Sequence, residues 1–216
     1  MKQIIVYLIL LTLACINTTA LAGEKPLTIM THDSFSISKP VLADIFYGVD
    51  NTFISRALDE DIFLNYAPKG LDAIDPKLLP QGQNQLIPVD FGDVCLNYDI
   101  KWFKTHKMTP PKRLEDLLDP AYKDLTVVQN PATSSPGLAF LLATISRFGE
   151  EGYIGYWKKL AANGVLVVNG WKQAYWGHFT AASKGNRPIV VSYASSPAAE
   201  VFYAETKPAT PPPPGW

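Results

Sequence analysis

Two short segments of this sequence place small hydroxyl residues and a proline after an apolar run. Val128–Gly137 follows the run Leu125–Val128, and Ser192–Pro197 follows Ile189–Val191. Serine and threonine suit the N-cap of a helix, and proline suits its first turn. Each segment predicts a strand that turns into a helix, and the free N–H groups of such a helix can bind the polar or anionic end of a small ligand. For either segment alone, an ordinary capped helix is the alternative.

Other polar and aromatic residues also follow apolar runs. Because strands alternate with helices of ten or more residues, the pattern predicts an α/β protein with parallel or mixed sheets. Ligands bind such sheets outside the carboxyl ends of the strands. The residues predicted at these ends are His32, Asp33, Asp50, Ser134, Ser135, Trp171 and Tyr193.

The hydrophobic pattern defines the elements that position these residues. The predicted strands are Leu27–Thr31, Asp44–Val49, Gln85–Val89, Val94–Tyr98, Leu125–Val128, Val165–Val168 and Ile189–Val191. The predicted helices are Phe53–Asp59, a short one around Leu114–Leu118, Pro136–Phe148, Tyr153–Ala162, Trp171–Lys184 and a last one from Pro197. The proline-rich end, residues 206–216, predicts an extended tail.

The first 22 residues have the pattern of a secretory signal peptide. A short basic start precedes the apolar run Ile4–Ala14, and Ala20-Leu-Ala22 is a small-x-small cleavage site. The mature protein is therefore expected to begin at Gly23 and to be periplasmic or otherwise extracytoplasmic. Lipid anchoring at Cys15 is the alternative. Cleavage before Gly23 leaves Cys95 as the only cysteine, which precludes an intramolecular disulfide.

Composition and motifs argue against several function classes. The chain has 19 basic and 20 acidic residues without a basic block, so it lacks the electrostatic footprint of a nucleic-acid-binding protein. His32, His106 and His178 lie far apart, and no catalytic serine, phosphate-loop or zinc motif occurs. We expect a binding protein that is not an enzyme, with no metal site and no cofactor.

Six motifs in order resemble those of the periplasmic thiamine-binding proteins, which are solute-binding subunits of an ATP-driven importer. The resemblance implies a type II periplasmic-binding-protein fold, with two α/β lobes that close on the ligand. It also implies thiamine or its phosphates as the ligand, a membrane permease as the partner, and a monomer. The motifs are Thr31–Phe35, Val49–Asn51, Pro88–Gly92, Asn130–Gly137, Asn169–Trp171 and Ser192–Pro197.

The resemblance assigns roles to the residues at the strand ends. Thiamine is an aromatic cation, and a positive ring over Trp or Tyr gains roughly 0.5–2 kcal/mol. Trp171 and Tyr193 match ring-contacting positions of the family, and Asp33 and Asp50 supply carboxylates, although each could equally cap a turn or helix. The remaining candidates are Ser134 and Ser135, expected to donate hydrogen bonds to the hydroxyethyl arm or its phosphate, and His32, expected to stack on a ring or to be a loop residue.

The sequence departs from the family in the first lobe. Only Ser36–Ala43 lies between Phe35 and Asp44, whereas a parallel crossover usually takes a dozen or more residues. We expect a signal peptide over 1–22, a partial first lobe over 23–92, a second lobe over 93–205 and a tail from 206. The shortened first lobe is expected to weaken binding.

Two other readings remain open. The chain could bind a different solute, such as iron(III), a polyamine or a small anion, although no Tyr-Tyr pair typical of iron sites occurs. It could also be a non-binding truncated relic or a secreted interaction domain.

Overall fold

The computed structural model describes residues 29–31, 45–80 and 84–204. The described residues fall into two compact units. The first holds β1 (Ile29–Thr31) and β2 (Ile45–Tyr47), and the second holds all described residues from Gly48 onward. The signal peptide, the 36–43 connection and the tail lie outside the described residues, and the lobe boundaries stay a prediction.

In the first unit, β1 and β2 pair in parallel, with Ile29 opposite Ile45 and Thr31 opposite Tyr47. Both strands were predicted, and their parallel pairing requires the crossover that the sequence makes short.

The second unit is built on a four-stranded mixed sheet in the order β3-β6-β4-β5. Its strands are β3 (Val94–Tyr98), β4 (Thr126–Gln129), β5 (Leu166–Val168) and β6 (Ile189–Tyr193). β4 is parallel to both β5 and β6, while β3 runs antiparallel to β6 at one edge. The predicted mixed α/β sheet is confirmed.

Helices connect these strands. The α-helices are α1 (Ile54–Asp59), α2 (Ile100–His106), α3 (Ser135–Ala162) and α4 (Ser196–Tyr203). A π-helix covers Gln173–His178, and short 3-10 helices cover Leu71–Ala73, Leu114–Leu118 and Pro120–Tyr122. Gly149 breaks the helical geometry of α3 with φ 75° and ψ 169°, which confirms the predicted interruption between two helices there.

The central strands are covered on both faces because their apolar residues run without a polar alternation. On β4, Val128 packs with Phe140 and Leu160 of α3, whereas Val127 packs with Tyr175 and Phe179 on the opposite face. Each fully buried aliphatic side chain contributes roughly 1.5–3 kcal/mol to folding. The second unit is thus a helix–sheet–helix sandwich with two cores.

Two predicted elements were wrong, and one helix was missed. Trp171–Lys184 is not a continuous α-helix: after the π-helix the chain turns, and Phe179 pairs with Arg187 in an isolated bridge. Gly185 permits this turn, because a Cβ there would lie 2.1 Å from the carbonyl oxygen of His178.

Gln85–Val89 is not a strand, which fits its proline at position 88. α2 was not predicted, although Asp99 caps it by accepting a hydrogen bond from the backbone N–H of Trp102 at 2.9 Å.

Candidate functional site

The carboxyl ends of β4, β5 and β6 lie at one edge of the sheet, and we call the region just beyond them the crevice. The chain leaves β4 through α3 to reach β5 on one side, whereas β6 lies on the other side of β4. This reversal of strand order is the topological switch point at which α/β sheets bind ligands. The ladder between β4 and β6 ends at Val127 and Val190. Beyond it, Gln129 Nε2 donates to the carbonyl of Val191 at 2.8 Å, so a side chain bridges the diverging strands.

The start of α3 lies close against the end of β4. Ser134 is its N-cap residue and is 5% exposed, and Ser135 is its first residue. Gly137 permits the close approach, because a Cβ at this position would lie 2.4 Å from the carbonyl oxygen of Gln129. The first turn of α3, with its free N–H groups, is therefore fixed at the crevice.

Asp50 lies at the same helix start. Its Oδ1 accepts hydrogen bonds from the backbone N–H of Thr52, at 2.8 Å, and from the Thr52 hydroxyl. Its Oδ2 accepts from the hydroxyl of Ser135. One oxygen thus caps a local turn, which was one of the two roles predicted for Asp50. The other oxygen joins Asp50 to α3. The positive end of the helix dipole favours a carboxylate at this position.

Trp171 and Tyr193 lie beside one another at the crevice. Their ring centroids are 6.3 Å apart and the rings are tilted by 45°. Trp171 donates from Nε1 to the Ser192 hydroxyl at 2.8 Å and stacks on Tyr175 at 4.8 Å. Partial burial and the negative charge of Asp50 raise the pKa of the Tyr193 hydroxyl. Asp50, Ser135, Trp171 and Tyr193, which lie far apart in the sequence, therefore form one group.

This group has the chemistry of a site for an aromatic cation. The two aromatic rings offer electron-rich faces, and the Asp50 carboxylate supplies a negative charge in a half-buried setting. The Ser135 hydroxyl donates its proton to Asp50. Its oxygen can still accept a hydrogen bond, which adds an acceptor to the site. The ligand contacts of these residues stay a prediction.

Two aromatic residues near Trp171 differ in their exposure. Tyr175 is 2% exposed and packs in the core, and burial together with Glu200 raises the pKa of its hydroxyl. Trp176 is 50% exposed and stands edge-on to Trp171, with ring centroids 6.1 Å apart. No local pattern in the sequence predicts this exposure.

Polar contacts missed by the sequence reasoning hold the loop before α3. Arg56 Nη1 donates to the carbonyl of Ala132 at 2.9 Å, and Thr133 Oγ1 donates to the carbonyl of Asn169 at 2.7 Å. Both contacts join residues that are distant in sequence, so no local sequence pattern predicts them.

His32 and Asp33, the remaining candidates, lie outside the described residues. Across the part of the chain that the structure describes, no group of three or more His, Cys, Asp or Glu side chains could hold a metal ion. A search of the same residues finds no helix long and apolar enough to cross a membrane.

Comparison with known proteins places the chain in a family. The family described as bacterial extracellular solute-binding protein matches residues 41–213. The chain belongs to this family. Among its relatives are proteins named thiamine-binding periplasmic protein. The protein of this name from Brucella suis is 35% identical over 167 residues, or 76% of this chain. The one from Escherichia coli is 34% identical over 162 residues, or 74% of this chain.

Solved structures of solute-binding proteins share the fold. A periplasmic thiamin binding protein aligns over 76% of this chain with a TM-score of 0.60 and 30% identity. A periplasmic binding protein from Actinobacillus pleuropneumoniae, with fructose 6-phosphate bound, aligns over 70% with the same TM-score and 20% identity. The predicted periplasmic-binding-protein fold class is confirmed. The chain spans about half the length of these relatives, 46% of the two curated proteins and 48% of each solved structure.

Proposed function

We propose that this chain captures thiamine or a thiamine phosphate outside the cytoplasm and delivers it, as a monomer, to the membrane permease of an ATP-driven importer. The observation that carries the proposal is the grouping of Asp50 with Trp171 and Tyr193 at the carboxyl ends of the central strands. A carboxylate beside two aromatic faces suits a cation with aromatic rings. The names of the relatives support the same ligand.

Binding without catalysis accounts for the polar groups of the crevice. Asp50 is held by Thr52 and Ser135 and makes no contact with a histidine among the described residues. The relatives are named as binding proteins, which supports a carrier rather than an enzyme.

Export through the signal peptide is part of the proposal. Cleavage after Ala22 would release a chain beginning at Gly23 into the periplasm. Amino-terminal sequencing of the exported protein is expected to give Gly-Glu-Lys. A start at Cys15 with an attached lipid would instead show a membrane-anchored protein.

Titration of intrinsic tryptophan fluorescence tests the ligand. Thiamine added to the exported chain is expected to quench the fluorescence to saturation, because Trp171 lies in the crevice. Calorimetry would give the stoichiometry, expected to be one. Iron(III), spermidine and inorganic phosphate serve as competitors from the other solute classes. Saturable binding of one of these, with no response to thiamine, would overturn the proposal.

A further inference from the structure

The short segment that carries Asp50 is attached at one end to the start of α3 and at the other to the loop before it. This segment, Asp50–Arg56, accepts a hydrogen bond from Ser135 at Asp50 and donates one from Arg56 to the carbonyl of Ala132. Within the segment, the N–H of Phe53 donates to the carbonyl of Asp50 at 3.1 Å. The segment is therefore a compact turn with two attachment points.

Arg56 is held in the orientation that reaches the loop. Its guanidinium carbon lies 4.7 Å from the centroid of the Phe53 ring, and Phe53 is only 7% exposed. A guanidinium over an aromatic face gains cation–π attraction. One face of Arg56 thus rests on a fixed ring while Nη1 points to Ala132, although the residue lies at the surface.

The acceptor of Arg56 is fixed to the sheet. Asn130 donates its N–H to the carbonyl of Val168 at 2.7 Å, and its side-chain oxygen accepts from the N–H of Ala132 at 2.9 Å. The Thr133 hydroxyl ties the same loop to Asn169. The hydrogen bond to Ala132 therefore fixes the Asp50–Arg56 segment relative to the central strands.

We propose that Arg56 is a positioning residue of the binding site: its hydrogen bond to Ala132 holds the Asp50 carboxylate against Ser135, at the crevice that Trp171 and Tyr193 border. The effect on ligand binding rests on the proposed function, whereas the effect on Asp50 does not. In this arrangement Arg56 contacts neither the Trp171 ring nor the Tyr193 ring, and it acts through Asp50.

The first test needs no ligand. In protein with ¹³C-labelled tyrosine, the pKa of Tyr193 is followed by NMR titration in wild type, Arg56→Met, Asp50→Asn and the double variant. Burial and then the Asp50 charge raise the pKa of Tyr193, so release of the carboxylate is expected to lower this pKa in Arg56→Met, as in Asp50→Asn. Simple loss of the arginine charge would raise this pKa instead. An unchanged or raised value overturns the proposal.

The double variant separates positioning from other roles. Once Asp50 carries no charge, Arg56→Met is expected to leave the Tyr193 pKa where Asp50→Asn put it. A further change in either direction would overturn the proposal, because Arg56 would then act on Tyr193 by a route other than Asp50; a rise would identify the arginine charge as that route. Arg113→Met is the matched control, because Arg113 is an exposed arginine paired with Asp116 at 3.2 Å. It is expected to leave the pKa unchanged.

The second test measures thiamine affinity in the same variants. Arg56→Met is expected to weaken binding by about threefold to tenfold, since a hydrogen bond from a charged donor is lost at the protein surface. Arg56→Lys keeps a donor and is expected to recover part of the affinity, and it replaces Arg56→Met if that variant does not fold. The loss is expected to vanish in the Asp50→Asn background.

The outcomes distinguish the two proposals. A lowered Tyr193 pKa in Arg56→Met with no thiamine binding in any variant supports the positioning role and overturns thiamine as the ligand. Thiamine binding that Arg56→Met leaves at the wild-type value overturns the positioning role and leaves the ligand in place.

Discussion

Asp50 shows how the two oxygens of one carboxylate can have different partners. Its Oδ1 closes the turn at Thr52, and its Oδ2 accepts from the hydroxyl of Ser135 at the start of α3. The sequence offered a cap and a ligand contact as alternatives; the structure shows the cap, and the ligand contact stays a prediction. The bond to Ser135 could not be predicted, because it depends on the Asp50–Arg56 segment lying beside the start of α3.

Trp171 gives the most direct test of the site. Replacing Trp171 with Ala is expected to weaken thiamine binding by about 1–3 kcal/mol, because a cation–π contact and apolar burial are both lost. Affinity is measured by calorimetry well below the unfolding temperature, since Trp171 also packs on Tyr175. Trp102→Ala is the control: Trp102 stacks on His106 in α2, and its loss is expected to leave affinity unchanged. Equal affinities in wild type and Trp171→Ala would remove Trp171 from the site.

Cys95 yields a prediction about reactivity. Burial, followed by the negative charge of Asp93, raises the pKa of its thiol, while a hydrogen bond from Asn97 partly opposes the shift. Because the thiolate is the nucleophile, iodoacetamide at mildly alkaline pH is expected to modify Cys95 more slowly in the folded chain from Gly23 than in denaturant.

Asp93→Asn is expected to speed the folded-state reaction, because removing the nearby charge lowers the pKa of the thiol. Asp72→Asn, in the 3-10 helix Leu71–Ala73, is the matched control and is expected to change nothing. A rate that is insensitive to Asp93→Asn would show that access alone limits the reaction.

Among the elements, α3 was predicted well because its signals are local. Ser134 and Pro136 mark its start, and Gly149 marks its interruption. The segment after Trp171 was predicted poorly for the opposite reason. Its helical composition continues to Lys184, but the bridge between Phe179 and Arg187 and the close approach of Gly185 to His178 end it early. Tertiary pairing overrides helix propensity there.

Gly137 tests how closely α3 must approach β4. Gly137→Ala is expected to destabilise the protein by about 1–3 kcal/mol, because the added Cβ would overlap the carbonyl of Gln129 and displace the start of α3. Thiamine affinity should fall as well, since Ser135 moves with the helix. Thermal and urea unfolding measure the first effect.

Gly155 provides the matched control on the same helix. A Cβ at Gly155 meets no atom within 4 Å, so Gly155→Ala is expected to stabilise the protein by about 0.5–1 kcal/mol through the lower entropy of the unfolded chain. Similar changes in stability for the two substitutions would argue against a steric limit at Gly137.

At the scale of the whole molecule, order is expected to concentrate in the four-stranded unit. Its two cores and its ladders lie within Val94–Tyr203. Residues 60–92 contain one described helix, the 3-10 turn Leu71–Ala73. Many of their large side chains are exposed, namely Ile62, Leu64, Tyr66, Leu78, Val89 and Phe91.

Hydrogen exchange measures this difference. Amides of β3, β4 and β6 are expected to exchange slowest, through global unfolding, while those of residues 60–92 exchange through local opening. Addition of thiamine should slow exchange most at the start of α3 and at the end of β6. Uniform protection from residue 45 to residue 203 would contradict the expectation and show that the sparsely packed segment is as stable as the sheet.

The fold class followed from the sequence because strand and helix patterns alternate over most of the chain. The sheet order did not, since nothing local dictates that β6 inserts between β3 and β4. The same holds for the site. Trp171, Tyr193 and Asp50 could be predicted as candidates at strand ends, but their shared crevice depends on that insertion.

The antiparallel direction of β3 determines where the polypeptide enters the sheet. Val94, at the start of β3, pairs with Tyr193, at the end of β6, and the N–H of Ala194 donates to the carbonyl of Asp93 at 2.9 Å. A parallel β3 of five residues would have brought the chain in at the far edge, about 16 Å away. In this structure the backbone that enters β3 lies beside Tyr193, one of the two aromatic residues at the crevice. The segment that leads into Val94 therefore runs directly beside Tyr193, so the path of this segment and the position of the Tyr193 backbone are set together.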